Sequence, residues 1–339
     1  MNHTLSSCSH RNGSVVYLDG SRIPLKHNLE KVTADTLPNK HLIRSVTLPD
    51  AVTEIGRWAF HGCVSMKTVF IPDNVKQIAD EAFSACTSLT EVDLPDGLTR
   101  IGQSAFADCT AMTDINLPEA LRFLGDRAFS GCSSLRAIRI PSGIKRLGSR
   151  TFFGCFALQS VSLPKALCDV ADNVFADCRS LSQISIPDGV SVIADAAFSG
   201  CTALKSVSLP EALTYVGERA FCGCNELSDI YFPNHTFILA ADAFKKCRSM
   251  KIRKHGTIRY EDGSSVKIPH GTGRISANDL PDRENAKCII LPETVAVIEP
   301  EAFQGCKILE EIVLPCKKMY IAPDAFRGCP DADLIRRVG

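Results

Sequence analysis

Apolar and polar positions along this chain follow neither a helical stripe nor a long alternation; they repeat as one pattern with a period of 23 residues. Prolines mark the phase at Pro49, Pro72, Pro95, Pro118, Pro141, Pro164, Pro187, Pro210 and Pro233. Eleven residues after each comes a phenylalanine, Phe60 through Phe244, and three further on a cysteine, Cys63 through Cys247. Between Pro72 and Leu94 the apolar set is Val75, Ile78, Ala79, Ala82, Phe83, Cys86, Leu89, Val92 and Leu94. A unit of this length is shorter than the roughly 40 residues an unstapled fold needs, so neighbouring units must stack and share one core.

Local patterns predict the elements of each unit. Val92-x-Leu94, Ile115-x-Leu117 and Ile138-x-Ile140 alternate apolar with polar just before the proline, which is the period of a half-buried strand. Each unit is therefore read as giving one short strand to a parallel sheet, ended by a proline that lacks the ladder N–H. The Ala-Phe-x-Gly-Cys stretch reads as a short helical turn closed in a left-handed conformation, with glycine at 62, 131, 154, 200 and 223. Ala85, Asp108, Asp177 and Lys246 take that place in other units. Seven residues after the proline the main array always has Gly or Ala, as at Gly56, Ala79 and Gly125, which points to close packing rather than positive φ.

The unit Cys-x-x-Leu-x-x-Ile-x-Leu-Pro followed by Ala-Phe resembles the BspA-type, or Treponema-type, class of leucine-rich repeats over nearly the whole chain. That resemblance implies a right-handed leucine-rich repeat solenoid with a parallel β-sheet on its concave face and short helical turns or irregular coil on its convex face. It also implies bacterial, and in some cases protozoan, surface proteins used in adhesion and protein binding.

The phase breaks once, because Pro233 and Pro269 are 36 residues apart. There Gly256-Thr-Ile-Arg-Tyr260-Glu-Asp262-Gly263-Ser264 copies Gly13-Ser-Val-Val-Tyr17-Leu-Asp19-Gly20-Ser21 at an offset of 243. The copy extends to Leu37-Pro38 and Leu280-Pro281. Asp-Gly between β-prone runs signals a hairpin, suited to covering the open first coil of a solenoid. The expected organisation is a flexible N-terminus at 1–12, a hairpin-like cap at 13–25, ten repeats over 26–255, a second cap-like segment at 256–268 and three repeats over 269–339. Ten strands at about 4.8 Å spacing make a sheet of roughly 45 Å, wide enough for a protein-sized partner.

Lys plus Arg and Asp plus Glu are 38 each, so no global field favours nucleic acid, an anionic membrane or an acidic partner. A local basic run, Lys245, Lys246, Arg248, Lys251, Arg253, Lys254 and His255, reads as a solvated seam, with an anion or nucleic-acid site as the sharper alternative. No aromatic residue is interleaved there to stack bases, and nucleic acid is not an expected partner. Of 16 cysteines, eleven fall on the repeat, nine in the first array plus Cys306 and Cys329, in the manner of a packing row rather than of zinc ligands, which come in close pairs. Cys222-x-Cys224 is such a pair, but no second pair or histidine cluster accompanies it. Neither metal nor cofactor is expected. Cys168, Cys222, Cys288 and Cys316 lie off the row. The eight histidines form no motif, and nucleophile elbow, phosphate loop and metalloprotease helix are all missing, so no catalytic residue is assigned and the protein is read as non-enzymatic. No export leader or apolar run of membrane-spanning length is apparent, which implies an intracellular protein by default, whereas the resemblance implies the cell surface or secretion.

Polar residues that alternate with the buried strand positions must face the open, concave side. They are Glu91, Asp93, Asp114 and Asn116, an acidic patch; then Arg139; then Ser160, Ser162, Gln183, Ser185, Ser206 and Ser208, a neutral hydrogen-bonding field; and finally Asp229 and Tyr231. Phe70 lies in the same register, as an anchor or as a residue covered by the cap. This face is the expected binding site for a protein or glycan partner of a monomeric scaffold. The alternative is an architectural, self-associating surface element without a specific ligand.

Overall fold

The computed structural model describes residues 13–233, 237–247, 251–254, 256–269, 272–315, 319–330 and 335–337; the expected flexible segment at 1–12 lies outside them. The chain forms a β-solenoid of about 12 turns in two compact units, Met1–Ser228 with Phe237–Met250, and Asp229–Thr236 with Lys251–Gly339. Helix is nearly absent. Among the described residues it is confined to three-residue 3-10 segments at Lys40–Leu42, Ala277–Asp279 and Arg283–Asn285.

In the first unit the strands before the prolines lie in three sheets, and within each sheet a strand stacks on its counterpart 23 residues away. Thr68–Phe70 pairs with Glu91–Asp93, Ala137–Arg139 with Ser160–Ser162, and Gln183–Ser185 with Ser206–Ser208, all parallel. A second parallel ladder, not expected from sequence, runs beside it: Glu54–Ile55, Gln77–Ile78, Arg100–Ile101 and Phe123–Leu124, then Asp169–Val170, Val192–Ile193 and Tyr215–Val216. Two residues hold only one outward and one buried position, too few to display a period, so the sequence pattern marks one strand where most units have two.

The Ala-Phe-x-Gly-Cys stretch is a chain of turns, not a helix. A helix would use its N–H groups internally. Here alternate donors serve the next circuit: Glu81 N–H binds Gln103 O, Phe83 N–H binds Ala105 O and Ala85 N–H binds Ala107 O, each at 2.8 Å. Alternation of donors in this way places two residues of each circuit in the left-handed region. One is the glycine-favouring position, with φ of 72° at Gly62 and 59° at Asp108; the other lies two residues before the phenylalanine, with φ of 56° at Glu81 and Arg127. In the first unit the residue seven after the proline has no positive φ, and a Cβ at Gly125 would sit 2.6 Å from Gln103 N, so close stacking there restricts it to small residues.

Phenylalanine rings from Phe60 to Phe244 stack in one file, with centroids 4.7–5.8 Å apart and planes within 16° of parallel. Phe106 and Phe129 are 5.4 Å apart and fully buried. This is the distance range in which parallel rings attract, in addition to the burial of each. Beside them runs the cysteine file. From Cys86 onward each thiol of this file donates to the carbonyl of the phenylalanine one circuit back: Cys86 Sγ to Phe60 O at 3.1 Å, Cys132 to Phe106 at 3.1 Å and Cys178 to Phe152 at 3.3 Å. The same carbonyl accepts its own circuit's cysteine N–H, as Phe60 O does from Cys63 at 3.0 Å, so both lone pairs are used. Cysteine fits because it is small, largely apolar and carries one weak donor.

Each unit contains a hairpin. Ser14–Tyr17 pairs with Arg22–Pro24 and, on its other edge, with Ile43–Thr47; Gly256–Tyr260 pairs in the same way with Ser265–Ile268 and Ala286–Ile290. Gly20 and Gly263 make the tight turns at φ of 84° and 82°. Tyr17 donates to Pro38 O at 3.2 Å and Tyr260 to Pro281 O at 2.8 Å, tying each hairpin to the loop that follows. The second unit repeats the internal plan with its own core around Ile258, Ile289, Phe303 and Ile312, and Phe303 stacks on Phe326 at 4.8 Å.

Candidate functional site: the strand face of the first unit

Along the strand ladder of the first unit buried and exposed side chains alternate. Ile138 and Ile184 are buried, while Ala137, Arg139, Gln183 and Ser185 on either side of them are exposed. Glu91, Asp93, Asp114, Asn116, Ser160 and Ser162 are likewise exposed, and Ser206 and Ser208 partly so. Register brings Ser160 beside Ala137, Ser162 beside Arg139, Ser206 beside Gln183 and Ser208 beside Ser185. Asp229 and Tyr231 belong to the second unit, where they stand in register with Lys251 and Arg253. Phe70 is partly buried between Thr47 and Asp93, and the hairpin pairs with Ile43–Thr47 rather than with the strand that carries Phe70.

The ladder is interrupted twice, between Ser160–Ser162 and Gln183–Ser185, which do not pair, and at residues 113–117. Residues 113–117, where Ile115-x-Leu117 predicts a strand, form none, although Ile115 remains buried. In register, Asp114 would lie beside Glu91 and Asn116 beside Asp93. Aspartate and asparagine are poor strand formers, and like charges side by side weaken pairing. Asp114 instead accepts from its neighbour Thr113 at 3.1 Å. The gap opens a shallow hollow of about 530 Å³ whose lining includes Asp114, Asn116, Arg139, Ser160 and Ser162. Glu119, in the same hollow, pairs with Arg139 at 3.0 Å. Sequence reasoning missed Glu119 because it follows Pro118 and lies outside the strand alternation.

Of the basic run, Lys245 and Lys246 lie on a turn of the first unit, Lys251–Lys254 is a strand of the second, and Arg248 and His255 are outside the described residues, so the seven do not share one element. Among the described residues no three metal-ligating side chains converge, and no helix is long and apolar enough to cross a membrane. Burial pushes the thiols of Cys109 and Cys155 up to about 12, which makes them poor nucleophiles near neutrality. Cys288 is also raised, first by burial and then by the Glu311 carboxylate. Cys316 lies outside the described residues.

The profile of the BspA type leucine rich repeat region matches residues 30–155, 123–251 and 260–335, well over half of the chain. This protein belongs to that family. Three solved structures are similar. A leucine-rich repeat protein from Bacteroides ovatus is 24% identical, covers 96% of this chain and 88% of its own, and has a TM-score of 0.56. A leucine rich cell surface protein from Faecalibacterium prausnitzii is 23% identical, with coverage of 100% and 96% and a TM-score of 0.49. The T. pallidum leucine rich repeat protein is 32% identical over 60% of this chain and 94% of its own, with a TM-score of 0.47. No curated protein matches the chain. In this BspA-type array the thiols differ sharply in access, since Cys168 is exposed and Cys86, Cys109, Cys132, Cys155, Cys178 and Cys201 are buried. Brief iodoacetamide treatment of the native protein is expected to modify Cys168 well before those six, as read by peptide mass spectrometry; equal labelling without denaturant contradicts the burial of the file.

Proposed function

We propose that this BspA-type chain is a non-enzymatic scaffold that binds a protein partner on the strand face of its first unit. The observation that carries the reading is the row of exposed polar side chains on a rigid, buried ladder, opened into a hollow at Asp114–Asn116. A backbone fixed by a packed sheet has little further entropy to lose on binding, and short serine side chains add little to that cost, which favours recognition by the face as a whole. Carboxylates at Glu91, Asp93 and Asp114 at one end and the hydroxyls of Ser162, Ser185 and Ser208 further along ask for a partner that is basic at one edge and rich in hydrogen-bonding groups at the other. No aromatic ring lines the hollow to stack a sugar. No step of chemistry is assigned to the face.

The test is quantitative affinity capture from extracts of the source organism and its surroundings, comparing wild type with Ser162→Arg/Ser185→Arg/Ser208→Arg. Three bulky cations on the neutral field are expected to abolish binding of the captured protein while leaving the unfolding midpoint within a degree or two, as surface changes do. A captured protein that binds the triple variant equally well moves the interface elsewhere. Concentration-dependent filaments in light scattering, with nothing captured, favour the architectural role instead.

A further inference from the structure

The turn face of the first unit carries a second hollow, of about 480 Å³, that the strand-face reading does not use. The residue after each stacked phenylalanine forms a column, and at Ser84, Ala107 and Ser130 that column is small, producing a trough floor; at the next circuit it is Phe153, 38% exposed, which closes the trough with a phenyl wall. The phenylalanine rings at these circuits are 5.0, 5.4 and 5.8 Å apart, which sets the length of the trough.

Two features point to a ligand. The Ser84 side chain is 9% exposed, lines the trough and has no hydrogen-bond partner among the described residues. A buried hydroxyl without a partner costs about 1–3 kcal/mol, which a ligand acceptor or donor would offset. Along the rim, Arg127 and Arg150 occupy equivalent positions on adjacent circuits, both exposed, and neither guanidinium has an ion-pair or hydrogen-bond partner among the described residues. Other arginines on this unit do pair, as Arg57 with Glu81 at 2.9 Å and Arg146 with Asp169 at 2.7 Å.

The charges around the pair are already engaged in part. Glu81, at the far end of the trough, is held by Arg57, and Asp126 and Asp172, on the other side of the arginines, accept the backbone N–H groups of Ser149 at 2.9 Å and Asp195 at 3.2 Å. Asp108 is the remaining carboxylate in the trough, and it is suited to accept a hydroxyl. Two planar guanidinium groups bind a carboxylate in bidentate fashion, serine hydroxyls and Asp108 match sugar hydroxyls, and a phenyl face packs against the apolar face of a pyranose.

We infer that the turn face of the first unit is a binding site for an acidic oligosaccharide, with one uronic-acid carboxylate on Arg127 and Arg150, the ring of that sugar over Ser130 against Phe153, and the following sugars reaching Ser84 two circuits from Ser130. The site is separate from the strand face, so the two are tested independently. Titration calorimetry of the full chain with trigalacturonate is expected to show saturable binding on the order of 1 mM, with maltotriose and acetate each weaker by about tenfold or more. Arg127→Gln/Arg150→Gln abolishes the trigalacturonate signal, Ser84→Ala weakens it about three- to tenfold, and Phe153→Ala narrows the preference for trigalacturonate over acetate. The arginine and Phe153 variants are expected to keep the wild-type unfolding midpoint, Ser84→Ala to keep or raise it, and Ser162→Arg/Ser185→Arg/Ser208→Arg keeps trigalacturonate binding intact. No saturable trigalacturonate binding, acetate binding as tight as trigalacturonate, or undiminished binding by the double arginine variant overturns the assignment.

Discussion

Phe129→Ala is expected to lower the unfolding free energy by about 3–5 kcal/mol, measured by urea denaturation followed by circular dichroism. Phe129 has no exposed surface and stands between Phe106 at 5.4 Å and Phe152 at 5.8 Å, so truncation leaves a cavity open to both neighbouring circuits. The backbone there is fixed against collapse, because the carbonyl of Phe129 is held by the thiol of Cys155 at 3.2 Å and its N–H by Thr151 O at 2.9 Å. In a solenoid each circuit contacts only its neighbours, and a weak link near the middle of the array also separates what unfolds first from what unfolds last. The same truncation at Phe326, partly buried in the second unit, should cost less. A loss below about 1 kcal/mol at Phe129 would contradict its place in the stack.

Alkaline pH is expected to unfold the array between about pH 9 and pH 12, and the reason is the thiol file. Burial raises Cys109 and Cys155 from the ordinary 9.0 to about 12, and pushes Cys86, Cys132 and Cys178 well above their usual value too. Below pH 9 native and unfolded chains both keep these protons, and the file contributes its full stability. Above it the unfolded chain releases them while the native chain still holds them, so stability falls as pH rises toward the native values. A thiol whose native value is about 12 loses on the order of 4 kcal/mol by the end of that window. Two such sites rival the roughly 5–15 kcal/mol that stabilises a typical domain. Cys109→Ala/Cys155→Ala should therefore move the alkaline midpoint upward in a pH titration of the circular dichroism signal. A midpoint that does not move assigns the alkaline transition to other groups.

The repeat, its stacking and the ladders of Phe and Cys were all legible in the chain, since each follows from one residue type recurring at one interval. The glycines at 62, 131, 154, 200 and 223 announced the left-handed residue that follows the phenylalanine, and φ of 71–75° is found there. Its counterpart two residues before the phenylalanine went unseen, because Trp58, Ser104, Arg127 and Asn173 hold that conformation without a glycine to mark it. Ile115-x-Leu117 looked like its neighbours and is not a strand, since the outcome depends on which carboxylates the adjacent circuit supplies. The thiol donors to the phenylalanine carbonyls were likewise hidden, for they join residues 26 apart on different circuits.

On the candidate faces the division is similar. Alternation alone placed Arg139, Ser160 and Ser162 on one side of the sheet, but the ion pair of Arg139 with Glu119 and the hollow beside it arise from two segments meeting in space. Ser84, Arg127, Arg150 and Phe153 carry no motif in the linear order, and only coiling brings them to one trough. Period and phase are properties of the chain itself, because identical side chains at equal intervals can share a core only by stacking. Which polar groups end up paired, and which are left open to a ligand, was decided by tertiary structure, because a hydrogen bond or ion pair depends on positions in neighbouring circuits that vary from one repeat to the next.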